Sequence, residues 1–273
     1  MKFEHFGDAS GSDRELIFCH ANGFPPSTYS QLFEALGGRI NGALLKPLTV
    51  PVTEADSHAW WSIAEELVAY LDGCDEPQIL VGHSLGAVVS CLTAIQRPEK
   101  VKALVLLDPV FLASRLVGAI RLLPKRFRKR QVLVAKTLGR PNRFSDHQAA
   151  FEFHRGKRAY AGMDDSALND YIQAAFVTEA NSSDVVLRYS REWEAHIYQT
   201  PPWIWPRLRN LKVPTLCLRG AKSQTLTKAA FERLGRLSAH ATLIELDDCG
   251  HLLPMERPQA VADTINDWLR DQK

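Results

Sequence analysis

A serine stands in the pentapeptide Gly-His-Ser-Leu-Gly at 82–86, between a short apolar run, Gln78 to Val81, and a helix-like stretch, Leu85 to Gln96. A serine on a sharp turn from a strand to a helix needs small residues two positions before and after it, and glycine occupies both positions. Its hydroxyl then lies at the helix N-terminus, where the helix dipole favours a developing negative charge. We therefore predict that Ser84 is a nucleophile and that the N–H of Leu85 is one donor to the oxyanion.

A serine is a weak nucleophile until a base accepts its proton, and His251 is the strongest candidate for that base. It stands in Asp-Asp-Cys-Gly-His-Leu-Leu-Pro at 247–254, between the last predicted strand and the last predicted helix. A loop in that place can reach over the carboxyl ends of the strands, where Ser84 is expected. Gly250 gives the backbone the freedom to aim the imidazole, so we predict that His251 is the general base.

A loop of small residues, His-Ala-Asn-Gly-Phe at 20–24, follows the first predicted strand. Small residues in that place let backbone N–H groups point into a cleft. We expect the N–H of Asn22 to be the second donor to the oxyanion, although an ordinary Asn-Gly turn explains the same residues. Phe24 and His83 flank the expected catalytic groups, and we predict that both line the substrate pocket.

Taken together, these motifs resemble those of the α/β-hydrolase superfamily and occur in the family's order. Further segments that match are Leu-Val-Leu-Leu-Asp-Pro at 104–109, Leu-Arg-Gly at 218–220 and Gly-His-Leu-Leu-Pro-Met-Glu-Arg-Pro at 250–258. The resemblance implies an α/β fold with a mostly parallel eight-stranded sheet flanked by helices, and a helical cap inserted after the sixth strand. The core would comprise residues 1–110 and 207–273, and the cap residues 111–206.

The resemblance also implies a reaction, namely hydrolysis of a carboxylic ester or thioester through a Ser-His-Asp triad and an acyl-enzyme. Members of the superfamily with the same residues hydrolyse C–C bonds of keto-type substrates, which leaves that reaction as an alternative. Epoxide hydrolysis and dehalogenation are less expected, because members that perform them carry an aspartate where this chain has Ser84.

The acid of the triad departs from the family pattern. Members usually carry it after the seventh strand, where this chain reads Gly-Ala-Lys-Ser-Gln-Thr at 220–225 and offers no carboxylate. We predict that Asp108 serves instead, because it ends the strand after the nucleophile, the sixth in the family's pattern, and some members place the acid there. A structural aspartate before Pro109 is the alternative, and Asp247 and Asp248 are outside candidates. The missing acid also leaves open a non-catalytic, ligand-binding member of the fold.

The elements that must position these residues follow from short apolar runs. Six runs are predicted strands: Leu16–Cys19, Ala43–Leu45, Gln78–Val81, Ala103–Leu107, Thr215–Leu218 and Ala241–Leu246. Continuous apolar runs of this length suit strands that are buried on both faces of a parallel sheet. Helical patterns lie between them, which predicts an α/β fold. The alternation breaks at 111–206, where we expect helices and loops without a strand.

The composition is that of an ordinary globular protein, with 45% apolar and 23% charged residues among 273. It excludes a disordered chain, a collagen-like chain and a multipass membrane protein. The net charge of +2 conceals an asymmetry. Residues 111–206 hold 15 of the 33 basic and 9 of the 31 acidic residues, so this segment carries +6 and the rest of the chain −4.

The segment 111–143 is the most unusual part of the chain, with ten basic residues, no acidic residue and interleaved leucine, valine and phenylalanine. A weak contact with an anionic membrane surface or an anionic substrate would explain it. A solvated helical surface of the cap is the simpler explanation, and the one that we favour. Nucleic acid is not an expected partner, because no binding motif accompanies the charge.

Small-molecule chemistry without a cofactor is the remaining expectation. The chain has no metal-ligand cluster, no P-loop and no dinucleotide fingerprint, so we expect no cofactor and no metal. Aromatic residues of 111–206 suit a lid over an apolar pocket, although a small core of the segment itself is the simpler explanation for most of them, and the expected partner is an apolar acyl compound. Five scattered cysteines and an N-terminus without an apolar signal segment favour a cytoplasmic location. The sequence does not indicate an oligomeric state.

Overall fold

A twisted seven-stranded sheet runs through the computed structural model, which describes residues 1–7, 14–128 and 130–272. Its strands are β1 (Lys2–Phe6), β2 (Glu15–Cys19), β3 (Arg39–Leu44), β4 (Gln78–His83), β5 (Val101–Leu107), β9 (Thr215–Gly220) and β10 (Ala241–Leu246). A second sheet of three short strands comprises β6 (Arg143–Phe144), β7 (Phe176–Thr178) and β8 (Val185–Leu187). The order of the large sheet is β1-β3-β2-β4-β5-β9-β10, and only β1 is antiparallel to its neighbour.

Helices alternate with the strands of the large sheet. Before the inserted segment (residues 111–206) these are α1 (Ser30–Leu36), α2 (Lys46–Thr49), α3 (Ala59–Asp72) and α4 (Leu85–Gln96). Within the inserted segment they are α5 (Ser114–Leu122), α6 (Lys125–Arg128), α7 (Val132–Gly139), α8 (His147–Arg155), α9 (Asp165–Ala175) and α10 (Arg191–Gln199). After it come α11 (Lys228–Leu237), α12 (Leu253–Glu256) and α13 (Pro258–Arg270). Short 3-10 turns are found at Pro26–Tyr29, Val52–Glu54, Pro98–Lys100, Arg158–Tyr160 and Leu208–Asn210.

Both faces of the large sheet are covered, which explains the continuous apolar runs. Ile17 and Leu80 belong to one buried cluster with α3 and α4, while Phe18 and Val81 belong to another with α1 and α13. Neighbouring residues of one strand therefore lie in different halves of the core, and both positions must be apolar.

The parallel register brings the carboxyl ends of four strands to one edge. Cys19 of β2 pairs with Gly82 of β4, and His83 of β4 pairs with Leu107 of β5. Leu107 in turn pairs with Leu218 of β9. The residues that follow these strands, far apart in the sequence, are therefore held at adjacent positions along one edge, where ligands bind in open α/β sheets.

The α/β architecture is as predicted, but two details differ. Among the described residues the large sheet has seven strands rather than eight, so the inserted segment follows the fifth strand and not the sixth. β1 is not among the predicted strands because it is a partly exposed edge strand with only two apolar residues among its five, unlike the buried runs. The expectation of no strand within 111–206 is wrong, because β6, β7 and β8 lie there; strands of two or three residues leave no pattern to read.

The five cysteines are free thiols, and four of them are buried. This agrees with their interpretation as small core residues, while the cytoplasmic location stays a prediction. Within the described residues, we find no helix with the length and apolar character that crossing a bilayer requires.

Candidate active site

Ser84 occupies a strained turn between β4 and α4. Its φ of 54° and ψ of −109° lie where residues with a side chain are rarely found. The turn is possible only because both flanking glycines lack a Cβ. A Cβ at Gly86 would lie 1.9 Å from the carbonyl oxygen of Cys19, and one at Gly82 would lie 2.4 Å from that of Gly86. The strand, the turn and the helix therefore pack at backbone contact and hold the hydroxyl at the helix N-terminus.

His251 lies beside this hydroxyl, on the loop between β10 and α12. Its Nε2 is 3.0 Å from Ser84 Oγ, and its Nδ1 is 2.7 Å from Asp108 Oδ2. The carboxylate fixes the tautomer with the proton on Nδ1, which leaves Nε2 free to accept the proton of the serine. The structure thus brings together the three residues that the sequence predicts, Ser84, His251 and Asp108. They follow β4, β10 and β5, respectively.

Asp108 is fully buried and is held by three donors. Besides His251 Nδ1, Oδ2 accepts a hydrogen bond from Ser223 Oγ at 2.6 Å, and Oδ1 accepts one from the N–H of Gly220 at 3.3 Å. Gly220 is the last residue of β9, and Ser223 lies in the loop that follows, the loop that lacks a carboxylate. The end of β9 and this loop therefore hold a carboxylate that is supplied by the neighbouring strand.

The outside candidates for the acid lie elsewhere. Asp248 forms an ion pair of 3.0 Å with Lys222, and this contact lowers the pKa of its carboxyl. Asp247 is exposed to solvent. Neither is the carboxylate that contacts the His251 ring.

Asn22 lies on the loop at 20–24, and residues of the inserted segment hold its side chain in place. Its Nδ2 donates to the carbonyl oxygen of Glu194 at 3.2 Å, and its Oδ1 accepts from the hydroxyl of Tyr189 at 2.7 Å. These contacts fix the loop on which the backbone N–H of Asn22 sits. Leu85 is the first residue of α4, where an N–H has no partner within the helix. Their shared role as oxyanion donors stays a prediction.

The carboxyl group of Glu194 packs against this loop. Gly23 has a φ of +85°, and a Cβ there would lie 3.0 Å from Glu194 Oε2. Burial raises the pKa of Glu194, while the guanidinium of Arg140, 2.6 Å away, favours its charged form. The inserted segment thus contributes a buried ion pair directly behind the loop at 20–24.

His83 does not line the pocket, contrary to the expectation from sequence. It is fully buried, its Nε2 donates to the carbonyl oxygen of His251 at 2.8 Å, and its Nδ1 accepts from the hydroxyl of Tyr29 at 2.9 Å. The Tyr29 oxygen accepts in turn from the N–H of Ala21 at 3.1 Å. Burial, and secondarily the neighbouring His251, holds the pKa of His83 well below its usual value. A neutral His83 therefore ties the loop of His251 to the loop at 20–24.

A cavity of about 480 Å³ opens above Ser84 and His251. Phe24 lines it, as predicted, and so do Asn22 and Leu85. The remaining wall is mostly apolar and comes from the core and from α5, α7 and α10 of the inserted segment. It includes Trp60, Leu112, Ile120, Leu133, Ile197 and Pro201. A larger cleft of about 750 Å³ lies at the opposite ends of the strands and contains none of the predicted site residues.

Several residues that support the site were not predicted. Ser223, Tyr29 and Tyr189 act through hydroxyl groups far away in the sequence, and nothing in their local sequence signals this. Glu256 is different, because it lies within the segment 250–258 that matches the family. Its Oε2 accepts from the N–H of Gly250 at 2.6 Å and so braces the loop of His251.

We find no metal site in residues 1–7, 14–128 and 130–272, because no three His, Cys, Asp or Glu side chains there form a group able to hold an ion. The arrangement present is a hydrogen-bonded serine, histidine and aspartate at the floor of an apolar cavity.

Comparisons with known proteins show what the whole chain is similar to. A family model described as "Alpha/beta hydrolase family" matches residues 16–264. Lipase LipV of Mycobacterium tuberculosis (strain ATCC 25618 / H37Rv) is 31% identical over 227 residues, which span 77% of this chain and 76% of that lipase.

Two solved structures show the same fold. The E-2-(acetamidomethylene)succinate hydrolase has a TM-score of 0.75 at 19% identity, over 98% of this chain and 99% of that one. An esterase of M. tuberculosis has a TM-score of 0.74 at 20% identity, over 98% of this chain and 92% of that one.

Proposed function

We propose that this protein, which belongs to the alpha/beta hydrolase family and is a hydrolase, cleaves carboxylic esters or thioesters through an acyl-enzyme on Ser84. The observation that carries the proposal is the unbroken chain of hydrogen bonds from Ser84 through His251 to Asp108. The names of its relatives, lipase and esterase, are consistent with this chemistry.

In the first half of the reaction His251 Nε2 accepts the proton of Ser84 as Oγ attacks the carbonyl carbon. The buried Asp108 carboxylate stabilises the imidazolium that forms. The N–H groups of Asn22 and Leu85 donate hydrogen bonds to the oxyanion of the tetrahedral intermediate. The imidazolium then protonates the departing alkoxide or thiolate, which leaves the acyl group on Oγ.

Water completes the cycle. His251 accepts a proton from a water molecule, which attacks the acyl carbon and forms a second tetrahedral intermediate at the same donors. Its collapse returns the proton to Ser84 and releases a carboxylic acid.

The cavity favours an apolar acyl group. Its volume of about 480 Å³ is within the range of small-molecule sites, and its walls are mostly aliphatic or aromatic. We propose that the inserted segment acts as a cap, because α5, α7 and α10 supply a large part of those walls. Burial of an acyl chain there would offset the cost of ordering it, at roughly 25 cal/mol per Å² of apolar area.

A substrate panel tests this function. The wild type is expected to hydrolyse p-nitrophenyl esters of graded chain length, and Ser84→Ala is expected to lose about 10⁴-fold or more in kcat. Ser90→Ala is the matched control, because Ser90 lies in the same helix, is buried and does not line the cavity. Its rate is expected to stay within about twofold of the wild type.

The competing functions give different results in the same panel. Turnover of a keto-type C–C substrate, with no ester or thioester cleaved, would replace the proposed reaction by C–C hydrolysis. A folded wild type that binds such ligands and turns over none of them would identify a binding protein.

A further inference from the structure

Apolar side chains are concentrated on the outer surface of the inserted segment. Eight large hydrophobic side chains are exposed in the described part of the chain, and six of them lie between 116 and 133. We call these six the outer patch: Leu116, Leu122, Leu123, Phe127, Val132 and Leu133. Leu122 is 87% and Val132 70% exposed, values that no packed residue shows. Clustered exposure of this kind marks an interaction surface, whereas scattered exposure does not.

The two helices of this surface already bury another apolar face. α5 buries Val117 and Ile120 but turns Leu122 outward, and α7 buries Val134 but turns Val132 outward. The buried faces of α5 and α7 therefore do not include Leu122 and Val132, the two most exposed residues of the outer patch.

Positive charge surrounds the outer patch and is not neutralised within the described residues. The exposed side chains Arg115, Arg121, Arg130 and Lys136 lie along it, and the segment 111–143 contains no acidic residue. In the described part of the chain none of these four side chains forms an ion pair. The surface thus offers cations without a protein counter-charge.

The patch also borders the catalytic cavity. Leu116 and Leu133 are about half exposed, and both line the cavity above Ser84. A partner that covers the outer patch would therefore lie next to the entrance of the substrate site.

Aliphatic side chains among unpaired cations fit the surface of an anionic phospholipid bilayer. The leucines and valines can enter the boundary of the acyl chains while arginine and lysine remain at the headgroups. A second copy of the chain would set like charges against each other, and the phosphates of a nucleic acid would give the leucines no apolar contact. We propose that the outer patch and its four cations dock the protein on an anionic membrane surface, with the cavity facing the lipid.

Docking needs no chemistry at Ser84, so its test uses the full-length Ser84→Ala variant, which removes lipid hydrolysis as a complication. Co-sedimentation is measured with vesicles of phosphatidylcholine alone and of phosphatidylcholine with 30% phosphatidylserine. Binding to the anionic vesicles is expected to exceed binding to the neutral ones by at least about tenfold at low salt, and to weaken as salt screens the charges.

Paired substitutions separate the two contributions. Arg121→Glu with Arg130→Glu is expected to weaken anionic binding by about tenfold or more, while Arg209→Glu with Lys212→Glu, the same charge change on exposed residues elsewhere, leaves it nearly unchanged. Leu122→Ser with Val132→Ser is expected to weaken binding severalfold, whereas Val177→Ser, at an exposed valine outside the patch, is not.

Turnover of a short soluble ester reports on the site separately. For this measurement the same substitutions are made in protein that retains Ser84. All these variants are expected to keep wild-type turnover, since none of the substituted residues lines the cavity. Equal binding to neutral and anionic vesicles, or no effect of the Arg121→Glu and Arg130→Glu pair, would overturn the proposal. A concentration-dependent dimer that Leu122→Ser dissociates, without vesicle binding, would assign the patch to a second copy instead.

Discussion

Asp108 gives the candidate site a carboxylate that the loop after β9 lacks. It directly follows β5, and it accepts hydrogen bonds from the hydroxyl of Ser223, in the loop after β9, and from the N–H of Gly220, the last residue of β9. A buried carboxylate is costly unless its oxygens accept hydrogen bonds. These two donors leave Oδ2 able to accept from His251 as well, so the loop supports the acid that it does not carry.

Ser223→Ala tests this support. The substitution removes the 2.6 Å donor from a buried carboxylate, and a hydrogen bond to a charged group contributes about 1.5–3 kcal/mol. We expect a lower free energy of unfolding by about 1–3 kcal/mol and a kcat lower by about tenfold, with KM little changed. Urea unfolding and steady-state kinetics measure both.

Ser223→Thr is the matched control, because threonine keeps the hydroxyl. It should recover most of the lost kcat. An unchanged kcat in Ser223→Ala would show that Asp108 is positioned without this bond.

At the residue level the sequence predicts the candidate reactive residues better than the residues that hold them in place through hydrogen bonds. Ser84 and His251 stand in motifs whose local geometry is dictated by neighbouring glycines. Their placement 3.0 Å apart follows from strand order. The prediction that His83 lines the pocket is wrong because a residue next to Ser84 can point into the core as well as into the cavity. The two hydrogen-bond partners of His83 come from distant segments, so its local sequence does not reveal them.

At the scale of elements, the turn from β4 to α4 depends on the absence of two side chains. The backbone of α4 passes so close to β2 that a Cβ at Gly86 would overlap the carbonyl group of Cys19. No rotamer change relieves this overlap, because both groups belong to the backbone.

Gly86→Ala is therefore expected to destabilise the protein by several kcal/mol, about 3 or more, or to prevent folding. Gly118→Ala is the control, since Gly118 lies inside α5 and a Cβ there meets nothing within 4 Å. Alanine is the better helix former, so this variant should gain up to about 1 kcal/mol. Thermal unfolding of both variants measures the difference, and a Gly86→Ala protein of wild-type stability would contradict the packing described for this turn.

The central strands were predictable because burial on both faces leaves continuous apolar runs. Edge strand β1 and the short strands β6, β7 and β8 were not, since their residues are partly exposed or too few to form a pattern. The family resemblance implied eight strands in the large sheet, and the described residues form seven.

At the scale of the whole molecule, buried histidines make stability depend on pH. Burial lowers the pKa of His20 to about 4, and it lowers those of His83 and His154 as well. In the unfolded chain these side chains bind protons near pH 6.5, while in the folded protein they stay neutral. The unfolded state therefore binds more protons below pH 6.5, so stability is present above that pH and is lost as the pH falls.

We expect the free energy of unfolding to fall by about 2–3 kcal/mol for each pH unit between pH 6.5 and 5. This slope corresponds to roughly two more protons bound on histidines in the unfolded state than in the folded state. Glu194 acts in the opposite direction because its pKa is raised, and it offsets at most one proton. Urea titrations at each pH measure the slope. The exposed His240→Gln should leave the slope unchanged, and a stability that is constant over this range would show that the buried histidines are protonated in the folded state.

The charge asymmetry also belongs to this scale. A net charge of +6 on the inserted segment and −4 on the remainder are readable from the sequence. The sequence did not show that six apolar side chains of the same segment face solvent, because α5 and α7 could have buried them as well as Val117 and Val134. Exposure is a property of tertiary packing, and it is the observation behind our proposal that this basic segment is a docking surface and not only a solvated one.

The central claim, that Ser84 is a nucleophile activated by His251, is tested most directly by a fluorophosphonate probe, which reacts with activated serines. Intact mass and peptide mapping of the labelled protein should show one adduct, located on Ser84. Ser90→Ala should be labelled like the wild type, and Ser84→Ala should not be labelled. A folded wild type that acquires no adduct, or a Ser84→Ala protein labelled as fast as the wild type, would contradict the account.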